Sequence, residues 1–165
     1  MILVGISAAA LTPRPDLLIE ESGKVVAVRG ADGTYRVIGS GSTYEVETWL
    51  RADADPRARN DDRLEEGVAC DHLGCTTVIG DTSLRVAVAL DYAAFPDDCR
   101  LAAIIVSPLT APEDCRSLVI DRDDLARGAA HALYLEQRTG TEISFRIVAT
   151  RPEIRRPWIS PLPDQ

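Results

Sequence analysis

Four cysteines that fall into two pairs of near neighbours are the feature that most restricts the fold of this chain. Cys70 and Cys75 enclose the short stretch DHLG, and Cys99 and Cys115 enclose a longer stretch of 15 residues. Both pairs have acidic neighbours in turn-like sequence, a setting that is unusual for thiols buried in a core. Two local disulfides, Cys70 with Cys75 and Cys99 with Cys115, are therefore expected, which implies an oxidising compartment. Free thiols are the alternative, whereas the second pair is spaced too widely for a four-cysteine zinc site.

Composition and charge narrow the class of protein. At 165 residues with 45% hydrophobic content, the chain is long and apolar enough to bury the core of a single domain. Its formal net charge is −8. The average field therefore repels a phosphate backbone, and strong direct binding of nucleic acid is not expected.

The chain divides into three regions. Residues 1–12 form an uncharged apolar stub, which has about half of the ~20 residues that a membrane-spanning helix requires. This stub is either a short element of the core or the remnant of a membrane helix. Residues 13–150 are expected to form a single domain. Residues 151–165 contain four prolines and are expected to be a tail.

Short apolar runs predict that the first half of the domain is a β-meander followed by a helix. The runs LLIEE, KVVAVRG and TYRVIGS have strand character, and the glycine of ADG at 31–33 suits a hairpin turn. Val46, Trp49 and Leu50 have helical spacing, and Trp49 is expected in the core. Residues 51–67 are charged and have no apolar period, which favours a solvated surface loop.

The second half of the domain alternates buried strands with short helices. LRVAVAL, at 84–90, is apolar on both faces, and LAAIIVS and SLVI follow as further strands. Asp121 is suited to cap a helix that ends at Gly128. The runs HALYLEQ and EISFRIVAT predict a final hairpin. The expected fold class is therefore α+β or α/β, with mixed β-sheets and few short helices.

Few residues have the chemistry of a catalytic site. His72 lies in a loop and His131 in an apolar strand, and phosphate-binding and nucleophile-elbow motifs are missing. The best remaining set is Asp91 and Asp121, which follow buried strands, where α/β folds place their sites and where carboxylates could bind Mg²⁺. Both aspartates also suit helix caps, and this simpler role is favoured. No catalytic residue, metal ligand or cofactor is therefore expected.

One family resemblance extends beyond these local patterns. The order of elements is similar to the C-terminal half of a metallo-β-lactamase domain. The whole chain more closely resembles the C-terminal soluble region of ComEC-type competence proteins, which are inner-membrane DNA-uptake channels. The matching stretches cover most of residues 12–158 and are PRPDLLIEESGKVVAVRGADGTYRV, YEVETWLRADAD, CDHLGC, DDCRLAAIIVSPLTAPEDC, VIDRDDLARGAAHAL and RPW.

The resemblance implies a reduced metallo-β-lactamase-like sandwich on the periplasmic face of the inner membrane, attached through the apolar stub. Catalytic members of the family carry an HxHxDH segment that this chain lacks. Asp91 matches the metal-bridging aspartate of the family, but Ser107 and Pro108 replace the histidines expected after the next buried strand. A two-metal site cannot be assembled from what remains, which implies a degenerate domain without catalytic activity.

These observations together predict a non-catalytic periplasmic domain of a ComEC-like protein that acts in natural transformation. Its expected partner is the membrane-channel portion of the same protein or a neighbouring uptake protein. Two other classes compete with this interpretation. One is a divergent metal-dependent nuclease or hydrolase that uses Asp91 and Asp121, and the other is an unrelated secreted binding module.

Overall fold

Ten strands and three helices make up the described part of the chain, which the computed structural model gives as residues 13–39, 43–137 and 143–151. The strands are β1 Leu17–Ile19, β2 Val26–Arg29, β3 Tyr35–Ile38, β4 Ala69–Cys70, β5 Gly74–Val78, β6 Arg85–Ala89, β7 Ile104–Val106, β8 Leu118–Ile120, β9 His131–Gln137 and β10 Ile143–Ala149. The helices are α1 Thr43–Ala52, α2 Phe95–Leu101 and α3 Arg122–Gly128, with 3-10 turns at Asp62–Leu64 and Tyr92–Ala94. The apolar stub 1–12, and all of the predicted tail except Arg151, lie outside the described residues.

The described strands form two five-stranded sheets. The first has the order β10-β9-β1-β2-β3, and all of its pairs are antiparallel. The second has the order β4-β5-β6-β7-β8, in which β4, β5 and β6 are antiparallel and β6, β7 and β8 are parallel. The predicted α+β class, with mixed sheets and short helices, is confirmed. The predicted meander is β1 to β3, where Gly33 adopts a positive φ of 79° in the β2–β3 turn.

The two sheets pack face to face around one shared apolar core. Side chains alternate along each strand, so one face of a strand enters the space between the sheets. In β6, Val86 and Val88 belong to this core, whereas Ala87 and Ala89 belong to a separate cluster on the outer face. Burial on both faces explains why LRVAVAL has no polar alternation. The shared core comprises Leu17, Ile19, Val26, Val28, Ile38, Ile79, Val86, Val88, Ile104, Val106, Ile120, Leu125 and Leu133.

A helix covers the outer face of each sheet. On the first sheet, Val46 and Leu50 of α1 pack in one cluster with apolar side chains of β2 and β3. On the second sheet, the buried Phe95 of α2 packs with apolar side chains of β6 and β7. The helix predicted from the spacing of Val46 and Leu50 is confirmed, and both side chains are buried. Trp49, which was expected in the core, lies half-buried at the margin of the same cluster.

Most of residues 51–67 are exposed, as their charge pattern predicts, but several of their side chains are largely buried. Asp53 forms a bidentate ion pair with Arg29 of β2, with both N–O distances at 3.0 Å. Asp55 and Arg57 form a second pair, and their side chains are only 5% and 7% exposed. Leu64, which also belongs to this segment, is fully buried in the cluster on the first sheet. The segment therefore lies on the first sheet, because its acids meet arginines that neutralise them there.

Arg29 connects three parts of the domain. Besides pairing with Asp53, it donates to the Pro15 carbonyl at 3.0 Å and to the Tyr35 hydroxyl at 2.7 Å. The Tyr35 hydroxyl donates in turn to the same Pro15 carbonyl at 3.0 Å. Burial raises the pKa of Tyr35 to about 12, so this hydroxyl keeps its proton at neutral pH. One guanidinium thus joins the start of the described chain, β3 and the segment after α1.

Replacing Asp53 tests this connection. Asp53→Ala leaves the nearly buried Arg29 guanidinium without its anionic partner, and we expect the free energy of unfolding to fall by about 3 kcal/mol. As a control, Glu47→Ala breaks the exposed pair with Arg51 and should cost less than about 0.5 kcal/mol. Chemical denaturation measures both. Equally small losses would mean that the Arg29–Asp53 pair contributes no more than a surface ion pair.

Candidate functional site

The predicted site residues Asp91 and Asp121 lie at the same edge of the second sheet. Asp91 comes two residues after β6, and Asp121 directly follows β8. Both strands run parallel to β7, which lies between them, so the two strand ends are roughly 10 Å apart. This edge is where parallel sheets commonly place their sites. The hydrogen bonds of the two carboxylates decide what they do there.

Both carboxylate oxygens of Asp121 accept hydrogen bonds from backbone N–H groups. Its side chain is largely buried, and its oxygens accept the N–H groups of Asp123 at 2.9 Å, Asp124 at 3.3 Å and Ala111 at 2.9 Å. The Asp124 carboxylate accepts the Asp121 N–H in return, which completes a capping box at the start of α3. The carboxylate therefore caps a helix and fixes the preceding loop, as the cap hypothesis predicts.

Asp91 and Ser107 follow the ends of the neighbouring strands β6 and β7, and their side chains form hydrogen bonds with the backbone there. Asp91 is exposed, and its carboxylate accepts the Ala93 N–H at 2.8 Å, which caps the 3-10 turn that follows. Ser107 is fully buried. Its hydroxyl donates to the Ala89 carbonyl at 2.7 Å and accepts the Leu109 N–H at 3.0 Å. Ser107 stands where the resemblance expects an imidazole, and its bonds tie the two strand ends together.

The two histidines occupy separate settings. His131, at the start of β9, is 7% exposed, and its Nδ1 lies 2.8 Å from the Ala129 carbonyl oxygen. Its ring packs so closely on Gly128 that a Cβ there would lie 2.7 Å from it. His72 lies at the exposed tip of the β4–β5 hairpin. Within residues 13–39, 43–137 and 143–151, no three His, Cys, Asp or Glu side chains form a group that could hold a metal ion.

The cysteines are paired as Cys70–Cys75 and Cys99–Cys115, the pairing that their spacing predicts. The first bridge joins directly paired residues of β4 and β5 on an exposed hairpin. The second joins α2 to the loop before β8, and both of its cysteines are half-buried against the outer cluster of the second sheet. Two disulfides are typical of an extracytoplasmic domain.

A surface hollow of about 260 Å³ borders the Cys70–Cys75 bridge, and no sequence pattern indicated it. Three carboxylates line it, from Asp71, Asp97 and Asp98. Burial, and then the negative charges of Asp71 and Asp97, raise the pKa of Asp98 against the opposing effect of Arg85. Asp71 is distant from Asp98 in sequence, so only the folded chain brings these like charges together.

Comparison with known proteins adds no relative. No protein-family model, curated protein or solved structure matches the chain. The resemblance to ComEC-type proteins therefore stays a prediction that depends on the stretches quoted above. In the part of the chain that the structure describes, no helix combines the length and the apolar character needed to cross a bilayer.

Two substitutions at Asp121 separate capping from charge. Asp121→Ala removes the acceptor of three backbone N–H groups, and we expect the free energy of unfolding to fall by about 1–2 kcal/mol. Asp121→Asn keeps a good cap residue and should lose clearly less. Urea denaturation followed by circular dichroism measures both values. Equal losses in the two variants would show that the negative charge, and not the cap, stabilises this position.

Asp98→Asn should stabilise the domain at neutral pH. Because the pKa of Asp98 is raised in the folded state, its ionised form opposes folding, and this penalty vanishes below the unfolded pKa of about 4. We expect a gain of about 0.5 kcal/mol, or ~2 °C in Tm, at neutral pH and none near pH 3.

The control for this experiment is Asp81→Asn. Asp81 is exposed in the turn between β5 and β6 and does not line the hollow, so its replacement should change Tm little at either pH. A gain for Asp98→Asn that is as large near pH 3 as at neutral pH would contradict an origin in ionisation.

Proposed function

We propose that this chain is a non-catalytic periplasmic domain of a ComEC-type DNA-uptake protein, attached to the inner membrane through the apolar stub 1–12. Its role is to pack on the membrane channel of the same protein or to contact neighbouring uptake proteins. The observation that carries the proposal is that Ser107 and Asp121 are held by backbone hydrogen bonds, while Asp91 caps a turn through one carboxylate oxygen. These residues occupy the sheet edge at which a catalytic relative would bind its metals.

The architecture supports the same proposal. The resemblance implies a reduced sandwich, and two sheets that share one core, each with a helix on its outer face, are compatible with it. Fold alone does not define function. The strand-end residues Asp91, Ser107 and Asp121 therefore carry the argument together with the scaffold, because they stabilise turns, strand ends and a helix.

Two further observations support a domain fixed to a membrane partner outside the cytoplasm. The disulfides favour an oxidising compartment. The Pro15 carbonyl accepts hydrogen bonds from both Arg29 and Tyr35, so the start of the described chain, next to the stub proposed as the attachment, is held on the domain.

The charge of the chain favours a protein partner over DNA. A net charge of −8 opposes the approach of a phosphate backbone. A channel surface with basic or uncharged side chains is the complementary partner.

DNA uptake in the bacterium that encodes the chain tests the proposed role. Deletion of the codons for residues 13–151 should abolish uptake of labelled DNA. Asp91→Ala and Asp121→Asn should leave uptake at the parental level, because the proposal gives neither carboxylate a catalytic role. Uptake that survives the deletion would contradict a role in transformation.

A cleavage assay tests the competing enzyme class. The purified chain is incubated with single- and double-stranded DNA in the presence of Mg²⁺, Mn²⁺ or Zn²⁺, and we expect no cleavage with any of them. Cleavage that disappears in Asp91→Ala, while that variant stays folded by circular dichroism, would instead assign the divergent nuclease.

A further inference from the structure

A larger groove, with a volume of about 770 Å³, lies between α2 and the loop before β8. Tyr92, Phe95 and Pro96 line it from the side of α2, and Pro112 and Arg116 line it from the loop. Tyr92 is 59% exposed, and its ring centroid lies 6.1 Å from that of Phe95 at a tilt of 45°. Phe95 is only 1% exposed, so the groove presents the exposed ring of Tyr92 together with two prolines.

The Cys99–Cys115 disulfide joins the two walls of this groove. Cys99 lies in α2 and Cys115 in the opposite loop, with their Cα atoms 5.1 Å apart. The Cys115 N–H also donates to the Pro112 carbonyl at 3.1 Å, and the Ser117 hydroxyl donates to the Ala102 carbonyl at 2.8 Å. Both walls are thus held in place before any ligand arrives, which lowers the entropic cost of binding.

The chain itself contains a segment whose chemistry suits the groove. Residues 157–163 read PWISPLP, with three prolines, one tryptophan and two aliphatic side chains. Proline restricts the backbone to extended conformations close to polyproline II. Grooves lined by aromatic side chains bind such segments because little conformational freedom is lost.

The described chain ends beside one end of α3. The Arg151 N–H donates to the Gly128 carbonyl at 2.9 Å, and the Arg151 guanidinium donates to the Ala126 carbonyl at 2.9 Å. Both carbonyls belong to the last turn of α3. The described chain therefore ends, at Arg151, beside the C-terminal end of this helix.

The opposite end of α3 adjoins the groove. Asp121, its N-cap, accepts the N–H of Ala111, and the next residue, Pro112, lines the groove. The helix has seven residues and is therefore about 10 Å long. The chain from Arg151 to Pro157 spans up to ~20 Å when extended, which is enough to bring the proline segment from one end of α3 to the groove.

One charge beside the segment has an opposite charge in the groove. Arg156 directly precedes Pro157, and Asp114 lines the groove two residues after Pro112, so these two side chains can pair where the segment enters the groove.

We propose that residues 157–163 dock in this groove, so that the chain fills its own binding site. The linker of residues 152–156 is short, and a short linker gives an effective concentration of the order of millimolar. Even a weak intrinsic affinity therefore keeps the segment bound. This inference goes beyond the proposed function and does not depend on it.

Trp158 reports on docking in the full chain. After the spectrum of Trp158→Phe is subtracted to remove Trp49, we expect blue-shifted emission and weaker acrylamide quenching than in a free peptide of residues 152–165. Tyr92→Ser should return both quantities to the values of the free peptide. The matched control is Tyr44→Ser, which replaces a 72% exposed tyrosine of α1 on the other sheet and should change neither.

Three results would overturn the proposal. The first is a Trp158 as accessible as in the free peptide, and the second is a folded Tyr92→Ser chain with unchanged emission and quenching. The third is protection that falls on dilution, which would assign docking to a second copy.

If Tyr92→Ser fails to fold by circular dichroism, the double substitution Pro161→Ala and Pro163→Ala replaces it, since it alters only the segment. Protection that persists in that chain would also overturn the proposal.

Discussion

The burial of two apolar sheet faces against each other is the interaction on which the rest of this domain depends. Most of the strands are short, and neither sheet can cover its own apolar face. Leu17 and Val28 of the first sheet, with Val86 and Ile104 of the second, are fully excluded from solvent. The helices, ion pairs and disulfides then attach outer segments to strands whose positions this core sets.

Polar side chains in this fold mainly hold backbone segments in place. Arg29 joins three segments through its guanidinium, Asp121 joins a helix to a loop, and Ser107 joins two strand ends. Each satisfies buried groups that would otherwise destabilise the domain. Both carboxylate oxygens of Asp121 accept backbone N–H groups, which connects the stability of this fold with the non-catalytic role proposed for it.

The two disulfides have different consequences. Cys70–Cys75 closes a loop with a separation of five residues within a hairpin that the sheet already holds. Cys99–Cys115 spans 16 residues, for which the restriction of the unfolded chain is worth about 3 kcal/mol. The second bridge also fixes the distance between α2 and the loop that faces it. It therefore contributes both to stability and to the shape of the groove beside it.

Local patterns in the sequence were sufficient for features that near neighbours decide. The meander, the spacing of α1, the cap at Asp121 and the pairing of Cys70 with Cys75 each depend on residues a few positions apart, whose periodicity or turn chemistry is visible in the chain. The sheet edge that carries Asp91 was also predictable, because buried strands with acidic ends have a recognisable pattern.

Contacts between distant segments were decided only by the tertiary structure. β9 pairs with β1, where Asp16 accepts the Leu135 N–H across a separation of 119 residues. Asp53 is neutralised by Arg29, and Asp71 comes near Asp98, although nothing in their own neighbourhoods indicates either partner. The periodicity of a segment records which of its faces is apolar, but not which other segment will cover that face. That choice is made by the packing of all the elements around the shared core.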